Sequence, residues 1–280
     1  MTPSRHARTQ RTHVPFTLSH PAAVLPFARR PLVPSALVIG SLTPDVPYYL
    51  YISGVRDMTH RPLGVVTVDV AIGLVVFAVW HLLAKRPLAA LAPDRLRERL
   101  PVSAPVSWRW VVPSLAIGAA SHVLWDAFTH AGAAEVLPWL AEFVGGITLY
   151  MWLQVGSGAA GLAVIAMWLA RWVRTAPPVP VPVEAARGRL QVFAAAGVLS
   201  PAGGLLSALL LSADTTLHSL LFAAIVGAIT AASLVLAVHC AWWHAAHLTG
   251  RHAEPAPAGT DGNGASRPAE GGGVGGGRVR

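Results

Sequence analysis

A chain of 280 residues that is 54% hydrophobic and only 12% charged lacks the polar surface of a soluble domain, since soluble domains carry roughly 25% charged residues. The formal net charge of +8 does not indicate nucleic acid binding, because the basic residues lie in short segments between apolar runs and form no patch. A single cysteine, Cys240, excludes an intrachain disulfide framework and a cysteine-rich metal site. Together these observations favour an integral membrane protein.

Composition divides the chain into three parts. Residues 1–13 form a basic, polar arm, and no short apolar core with a cleavage site follows, so we expect no cleavable signal peptide. Residues 14–250 carry the apolar runs and are predicted to form a transmembrane helical domain. Residues 251–280 are rich in Gly, Pro and Ala and are predicted to be a disordered tail.

Two apolar segments at the start of the transmembrane domain are irregular. Residues 16–27 are too few to cross the hydrocarbon core, which takes ~20 helical residues, so we expect them to lie in the interface or to re-enter the membrane. Residues 31–52 are long enough, but Pro34, Pro44 and Pro47 interrupt them. They predict a broken first span that lines protein or a cavity rather than lipid.

Five longer apolar runs follow, and each has the length of a crossing helix. They occupy residues 64–84, 111–130, 147–173, 190–211 and 217–247. With the broken segment they predict an all-α polytopic bundle of about six spans.

The charges of the connecting segments predict an orientation. Basic residues cluster in residues 85–109 and 171–189, whereas the connections at 131–146 and 212–216 contain acidic residues but no Lys or Arg. By the positive-inside rule the basic segments face the cytoplasm, and six spans then place both termini there. The expected location is the cytoplasmic membrane.

Ionisable side chains in or beside the spans are the candidates for chemistry, because each is costly in hydrocarbon and needs a partner or water. The densest group is Ser-His-Val-Leu-Trp-Asp-Ala-Phe-Thr-His at residues 121–130. On a helix, His122, Asp126 and His130 step by four and stay within roughly 80° of one face. Adjacent members lie ~6 Å apart along the axis and could share a metal, whereas the outer two lie ~12 Å apart. We therefore expect one His–Asp pair to bind a metal. The remaining His would bind a second ion, support the metal ligands or contact the substrate.

Other ionisable residues are predicted to meet that helix face. Four residues fall towards the outer membrane face under the predicted topology: Asp45, His60, Asp126 and His130. Asp69 lies one to two turns into the second span on the same side and is a candidate ligand, supporting residue or base. His20 would join them only if residues 16–27 dip into the membrane.

Imidazole and carboxylate groups together suit zinc and other divalent first-row ions. A catalytic ion lowers the pKa of its water towards ~7 and polarises a phosphoryl or carbonyl oxygen. At this point the alternative is a polar cluster that only holds helices together.

Two further patterns have simpler explanations. Residues 156–161 match the letters GxGxxG, but no strand precedes them, so close helix packing is the better interpretation. The histidines at positions 239, 244, 247 and 252, near the inner end of the last run, indicate an interfacial role rather than a metal site.

Four motifs also carry a resemblance to a known family. They are Val-Pro-Phe-Thr-Leu-Ser-His-Pro-Ala-Ala-Val-Leu-Pro at 14–26, Ile-Gly-Ser-Leu-Thr-Pro-Asp at 39–45, Thr-His at 59–60 and the segment at 121–130. In this combination the chain resembles a bacterial membrane family of unknown function (DUF 4184) from about residue 14 to residue 247. That family is similar in motif order to predicted membrane-bound metal-dependent hydrolases, which share a His near the start, a Pro-Asp, a Thr-His and a Ser-His-x-x-x-Asp.

Carried over by position, the resemblance implies a metal site of five residues: His20, Asp45, His60, His122 and Asp126. His130 stands where those relatives often have proline, and Val46-Pro47 replaces an Asp-His that often follows their Pro-Asp. With the residue chemistry above, the leading hypothesis is a metal-dependent hydrolase, with zinc as the expected ion, that acts on a lipid or envelope ester or phosphoester. In this hypothesis Asp69 and His130 are the candidate catalytic residues. A non-enzymatic membrane protein, such as a solute or metal transporter or an assembly factor, is the alternative. The sequence does not predict the oligomeric state.

Overall fold

The structure of the chain is a computed structural model that describes residues 17–50, 52, 54–130, 132–180, 183–212 and 216–249. The predicted N-terminal arm, the predicted C-terminal tail and His252 lie outside these described residues.

The described part of the chain is almost entirely helical. Its α-helices in chain order are α1 (Pro21–Val24), α2 (Pro34–Gly40), α3 (Val46–Tyr49), α4 (Arg56–Thr59), α5 (Pro62–Val66), α6 (Val68–Val79), α7 (Lys85–Leu91), α8 (Asp94–Arg97), α9 (Val111–Thr129), α10 (Ala133–Val136), α11 (Leu149–Thr175), α12 (Arg189–Leu211) and α13 (Leu217–Leu248). Single 3-10 turns lie at Thr17–Ser19, Leu25–Phe27, Thr43–Asp45, Trp108–Trp110 and Pro138–Ala141. A π-helical turn, Trp80–Ala84, joins α6 to α7. Two short antiparallel strands, β1 (Phe143–Val144) and β2 (Ile147–Thr148), form a hairpin before α11.

Five helical segments within the described residues are long and apolar enough to cross a membrane: Pro62–Leu91, Trp108–Thr129, Leu149–Thr175, Arg189–Leu211 and Ser219–Leu248. Large apolar side chains remain exposed along these segments, for example Leu209 and Leu234, and lipid rather than water suits such a surface. The predicted all-α bundle is confirmed, and the chain is a multi-pass membrane protein.

The predicted first span at residues 31–52 is not one continuous helix. α2 ends where the Thr43 hydroxyl donates to the carbonyl oxygens of Ile39 (3.1 Å) and Gly40 (2.8 Å). These bonds satisfy carbonyls that a longer helix would have used. The 3-10 turn with Pro44 follows, and α3 adds a single helical turn. The described residues therefore hold five long helices and one broken element, which agrees with the predicted interruption of the first span.

The long helices define two ends of the bundle. The basic end carries residues 85–109 and 171–189, the two segments that contain most of the described Lys and Arg. The opposite end, where α5 begins and α9 ends, carries His60 and His130 and is called the site end below.

The two basic segments pack against each other. Arg99 Nε donates to the carbonyl oxygen of Ala176 at 3.1 Å. The Asp94 carboxylate accepts hydrogen bonds from Arg97 (2.9 Å) and Arg189 (3.2 Å), and these bonds hold the pKa of Asp94 below its ordinary value.

α2 and α9 run side by side at a distance that only glycine permits. A Cβ atom added to Gly40 would overlap the carbonyl oxygen of Leu115, and one added to Gly118 would overlap that of Leu37. This close approach sets the register of the two helices and places Ser41 beside His122.

We expect the Gly118→Ala substitution to destabilise the protein by about 1–3 kcal/mol. The added methyl group would overlap backbone atoms of α2, and only a movement of α2 can relieve this overlap. Gly156→Ala in α11 is the matched control, since a Cβ there has no atom within 4 Å and alanine favours helix by ~1 kcal/mol. Thermal unfolding in detergent tests both variants. An unchanged melting temperature for Gly118→Ala would contradict the packing argument.

An apolar layer separates the site end from the basic end within the described residues. Seven buried side chains from α2, α6 and α9 and the residue before α2 form it: Val33, Ala36, Ile39, Val70, Phe77, Val111 and Leu115. His122 and Asp69 lie on the site-end side of this layer, since each is about two turns along its helix from Leu115 or Phe77.

Candidate metal centre

His20 reaches the interior of the bundle because residues 17–27 fold back into it. Their short helices pack against α9 and α11, and Ser19 and His20 are buried. Gly161 of α11 makes room for this segment, since a Cβ there would lie 3.0 Å from the Ser19 Cβ. His20 Nε2 lies 3.0 Å from Asp126 Oδ1. The segment therefore brings His20 next to Asp126 by packing against α9 and α11, and its entry into the membrane stays a prediction.

Four side chains converge at the site end: Asp45, His60, His122 and Asp126. Each offers one ligand atom, and these atoms all lie within 4.8 Å of one another. His122 Nε2 is 3.3 Å from Asp126 Oδ2 and 3.7 Å from Asp45 Oδ1. His60 Nε2 is 3.5 Å and 3.8 Å from the same two oxygens. Atoms that bind one ion tetrahedrally at ~2.0–2.2 Å lie ~3.3–3.6 Å apart, so this group could hold a metal ion.

The local structure around each ligand residue explains how its side chain reaches the site. Asp45 ends the 3-10 turn that breaks the predicted first span, and it is buried. His122 and Asp126 are four residues apart on α9 and face the same side, as the sequence predicts. His60 precedes the Pro62 that begins α5, and it is the one member of the group that is only partly buried.

Hydrogen bonds orient both imidazoles with Nε2 towards the carboxylates. His122 Nδ1 donates to the carbonyl oxygen of Ser41 at 2.8 Å, and since a carbonyl only accepts, the proton resides on Nδ1. His60 Nδ1 lies 3.1 Å from the Thr59 hydroxyl, which itself donates to the carbonyl oxygen of Pro44 at 3.0 Å. The same arrangement prepares metal-binding histidines elsewhere. His122 Nε2 is buried and has no hydrogen-bond partner within the described residues.

The two oxygens of Asp126 have different surroundings. Oδ2 faces His60 and His122, whereas Oδ1 lies 3.0 Å from His20 Nε2 and 3.4 Å from His130 Nδ1. The His20 ring also stacks on that of His122, with centroids 4.0 Å apart. His20 is thus placed to orient the Asp126 carboxylate, outside the four mutually close ligand atoms. Its role as a ligand stays a prediction.

His130 lies beside the group but not on the helix that was predicted to present it. α9 ends at Thr129, and His130 has extended backbone with φ −117° and ψ 166°. Its Nε2 lies 3.4 Å from Gln154 Nε2 of α11. Both histidines of the motif therefore contact Asp126, one on each oxygen, as their four-residue steps to either side of it predict.

Asp69 is the other buried carboxylate of the site. Its side chain is fully buried in the first turn of α6, and neither oxygen has a hydrogen-bond partner within the described residues. It interacts electrostatically with His60, His122 and Asp45. A buried carboxylate without hydrogen bonds is costly, which is typical of a functional site rather than of a packing cluster.

A cavity of about 390 Å³ opens beside the group. Seven residues line it: Asp57, His60, Arg61, Val123, Asp126, Ala127 and His130. Arg61 and Arg56 are basic residues near the site end of the bundle, whereas the charges of the connecting segments predicted no Lys or Arg at that end. The sequence argument missed Arg61, although its position directly after the Thr-His motif was the available signal.

The two weaker sequence patterns have structural explanations. Residues 156–161 lie within α11, where Gly161 packs against Ser19. His239 and His244 donate to the carbonyl oxygens of Pro87 and Leu83, which joins α13 to the basic end of the first long span.

Comparison with known proteins identifies a family but no activity. A family model described as a domain of unknown function (DUF4184) matches residues 14–241, a range that contains all seven predicted site residues. No curated protein matches the chain, and no solved structure matches it. The match covers most of the chain and includes the motifs that bring the four ligand atoms together. The chain therefore belongs to the DUF4184 family of uncharacterised proteins.

Proposed function

We propose that this protein is a membrane-embedded, metal-dependent hydrolase that acts on a lipid or envelope ester or phosphoester. One observation carries the proposal: two imidazoles and two carboxylates offer ligand atoms within 4.8 Å of one another. The bonds of His122 to Ser41 and of His60 to Thr59 support it, because they turn both Nε2 atoms towards that point.

The donor set favours zinc. Two imidazole nitrogens and two carboxylate oxygens match the ligands that Zn²⁺ takes in proteins, and the group contains no thiolate that would indicate a softer ion. The bound ion would supply a Lewis acid and a water of lowered pKa.

The chain's own residues would divide the remaining work. His130 lines the cavity and touches Asp126, so it is placed to take a proton from a water in the cavity and to return it to the leaving group. Asp69 lies behind the group and would stabilise positive charge there. Val123 and Ala127 form the apolar part of the cavity wall, against which a lipid chain would lie.

A transporter, the first of the non-enzymatic alternatives, requires polar residues that continue from one membrane face to the other. The structure instead has an apolar layer, with Phe77, Val111 and Leu115 at its centre, between the candidate site and the basic end. This layer favours a site that is reached from one face, which is the arrangement of an enzyme.

The location is part of the proposal. We place the protein in the cytoplasmic membrane, with its basic end in the cytoplasm and the candidate site towards the outer face, on the strength of the charges in residues 85–109 and 171–189. A substrate of the bilayer or the envelope would then reach the cavity without crossing the membrane.

Metal content tests the proposal directly. Detergent-purified full-length protein is expected to contain close to one zinc per chain by inductively coupled plasma mass spectrometry, and the His122→Ala/Asp126→Ala double variant is expected to contain almost none, because two of the four ligands are gone. The matched control His247→Ala/Glu135→Ala replaces an exposed histidine and an exposed acid outside the group and is expected to keep the metal. A folded wild-type protein that holds no metal after reloading with divalent ions would overturn the proposal in favour of a helix-packing cluster.

A further inference from the structure

We infer that Arg61 and the metal group together bind the phosphate of an amphiphilic phosphoester, so that the substrate is a phosphate-bearing lipid rather than an uncharged ester. The inference rests on the proposed function, since it assigns the substrate class to the same site. Four observations carry it.

The first is the state of the Arg61 side chain. Arg61 lies in the wall of the cavity that also exposes His60 and Asp126. Its guanidinium forms no hydrogen bond or ion pair within the described part of the chain, whereas Arg97 and Arg99 at the basic end donate to carbonyl or carboxylate oxygens. The Arg61 guanidinium is exposed in the wall of this cavity and uses none of its donors on the described residues, so it is available to a ligand.

The second is the charge of the site. Asp45, Asp69 and Asp126 bring three carboxylates together, and a divalent ion offsets two of these charges. Asp57 adds a further acid on the cavity wall. An anionic substrate would therefore meet negative potential unless another cation lines its path, and Arg61 is the one cation among the residues that line this cavity. An uncharged ester would not need it.

The third is the position of Arg61 in the bundle. Apart from Arg56, which begins α4, the described Lys and Arg residues lie mostly at the basic end, as the positive-inside rule favours for the cytoplasmic face. Arg61 departs from that pattern at the site end, directly after the ligand His60. Arginine offers a planar fork of donors that matches phosphate oxygens two at a time, which gives a reason for this residue at this place.

The fourth is the apolar surface that continues from the cavity. Val123 and Ala127 of α9 form part of its wall, and their neighbours Leu124 and Phe128 are 63% and 49% exposed. On a transmembrane helix these side chains face lipid. A ligand with its phosphate at Arg61 can therefore keep its acyl chains beside α9 without leaving the bilayer.

The reaction on such a substrate is a phosphoester hydrolysis. The oxygen of a water forms a new bond to phosphorus, the bond between phosphorus and the alcohol oxygen breaks, and one proton passes from the water to the alcohol. The products are a phosphate group and an alcohol that carries the apolar chain. Arg61 would hold non-reacting phosphate oxygens throughout.

Binding of three probes tests the inference on the full-length, zinc-loaded protein in detergent: dioctanoyl phosphatidic acid, the uncharged dioctanoylglycerol and inorganic phosphate. Wild-type protein is expected to bind the phosphatidic acid at least ~10-fold more tightly than the diacylglycerol by calorimetry. Arg61→Gln is expected to lose ~10-fold or more of the affinity for phosphatidic acid and to keep that for the diacylglycerol, and Arg61→Lys is expected to fall between them. Arg171→Gln is the matched control, because it removes an exposed arginine at the basic end.

Each outcome decides a separate point. Unchanged phosphatidic acid affinity in Arg61→Gln, with wild-type zinc content as proof of an intact site, would overturn the inference and leave the metal site standing. Wild-type protein without zinc would overturn the proposed function, and the Arg61 dependence of phosphatidic acid binding would still be measured on that metal-free protein. If inorganic phosphate binds as tightly as phosphatidic acid, the assignment of an amphiphilic substrate is overturned, and the site would bind a soluble phosphate. Phosphate that binds ~10-fold or more weakly would support the lipid.

Discussion

The Asp126→Asn variant is expected to lose phosphoester turnover by about 100- to 1,000-fold and to bind zinc at least ~100-fold more weakly than the wild type. Asp126 contacts four histidines at the site. Its Oδ2 faces His60 and His122, and its Oδ1 contacts His20 and His130. Asparagine keeps the shape of the side chain but removes its negative charge and replaces one acceptor oxygen with an NH₂ donor.

Two measurements separate the effect on the metal from the effect on the fold. Zinc affinity is measured by competition with a chelating dye, and turnover by phosphate release from dioctanoyl phosphatidic acid at saturating zinc. Asp57→Asn is the matched control, because Asp57 lines the same cavity and is exposed but does not belong to the four-residue group. It is expected to keep wild-type zinc affinity. Turnover in Asp126→Asn within a factor of ten of the wild type would remove Asp126 from the site.

The His122–Asp126 pair and the long spans follow directly from local pattern. Apolar runs of ~20 residues have few alternatives to a crossing helix, because backbone groups in lipid must bond within their own segment. The four-residue step between His122 and Asp126 places them on one face of any helix, and α9 contains both. The same step places His130 against Asp126 Oδ1, because the His130 N–H still donates to the Asp126 carbonyl oxygen although α9 ends at Thr129.

The predicted topology already brought Asp45 and His60 to the same membrane face as Asp126, but the packing that orients these side chains did not follow from the sequence. The approach of α2 to α9 depends on Gly40 and Gly118, which in isolation predict only small side chains. That approach puts the carbonyl of Ser41 against His122 and so fixes the tautomer of the imidazole. The placement of His20 depends in the same way on how residues 17–27 pack against α11, a question of tertiary packing that hydropathy does not answer.

Asp69→Asn is expected to raise the melting temperature of the zinc-free protein by several degrees while lowering turnover of the zinc-loaded protein by ~10-fold or more. Asp69 is fully buried, and neither carboxylate oxygen has a hydrogen-bond partner within the described residues. Without an ion, burial is the largest cost of the Asp69 carboxylate, and Asp45 adds repulsion that His60 and His122 offset. A neutral side chain of similar size therefore relieves chiefly the desolvation.

A higher melting temperature together with a lower turnover would show that Asp69 is retained for function at a cost in stability. Melting is measured in detergent with excess chelator, and turnover on dioctanoyl phosphatidic acid at saturating zinc. Asp94→Asn is the matched control: Asp94 is exposed and accepts hydrogen bonds from Arg97 and Arg189, so its replacement removes favourable contacts and is expected to leave the melting temperature unchanged or slightly lower. A lower melting temperature for Asp69→Asn in the absence of zinc would instead mean that its carboxylate stabilises the fold. Asp69 would then belong to a structural polar cluster. A carboxylate retained for chemistry is expected to stabilise the protein only when the ion is bound.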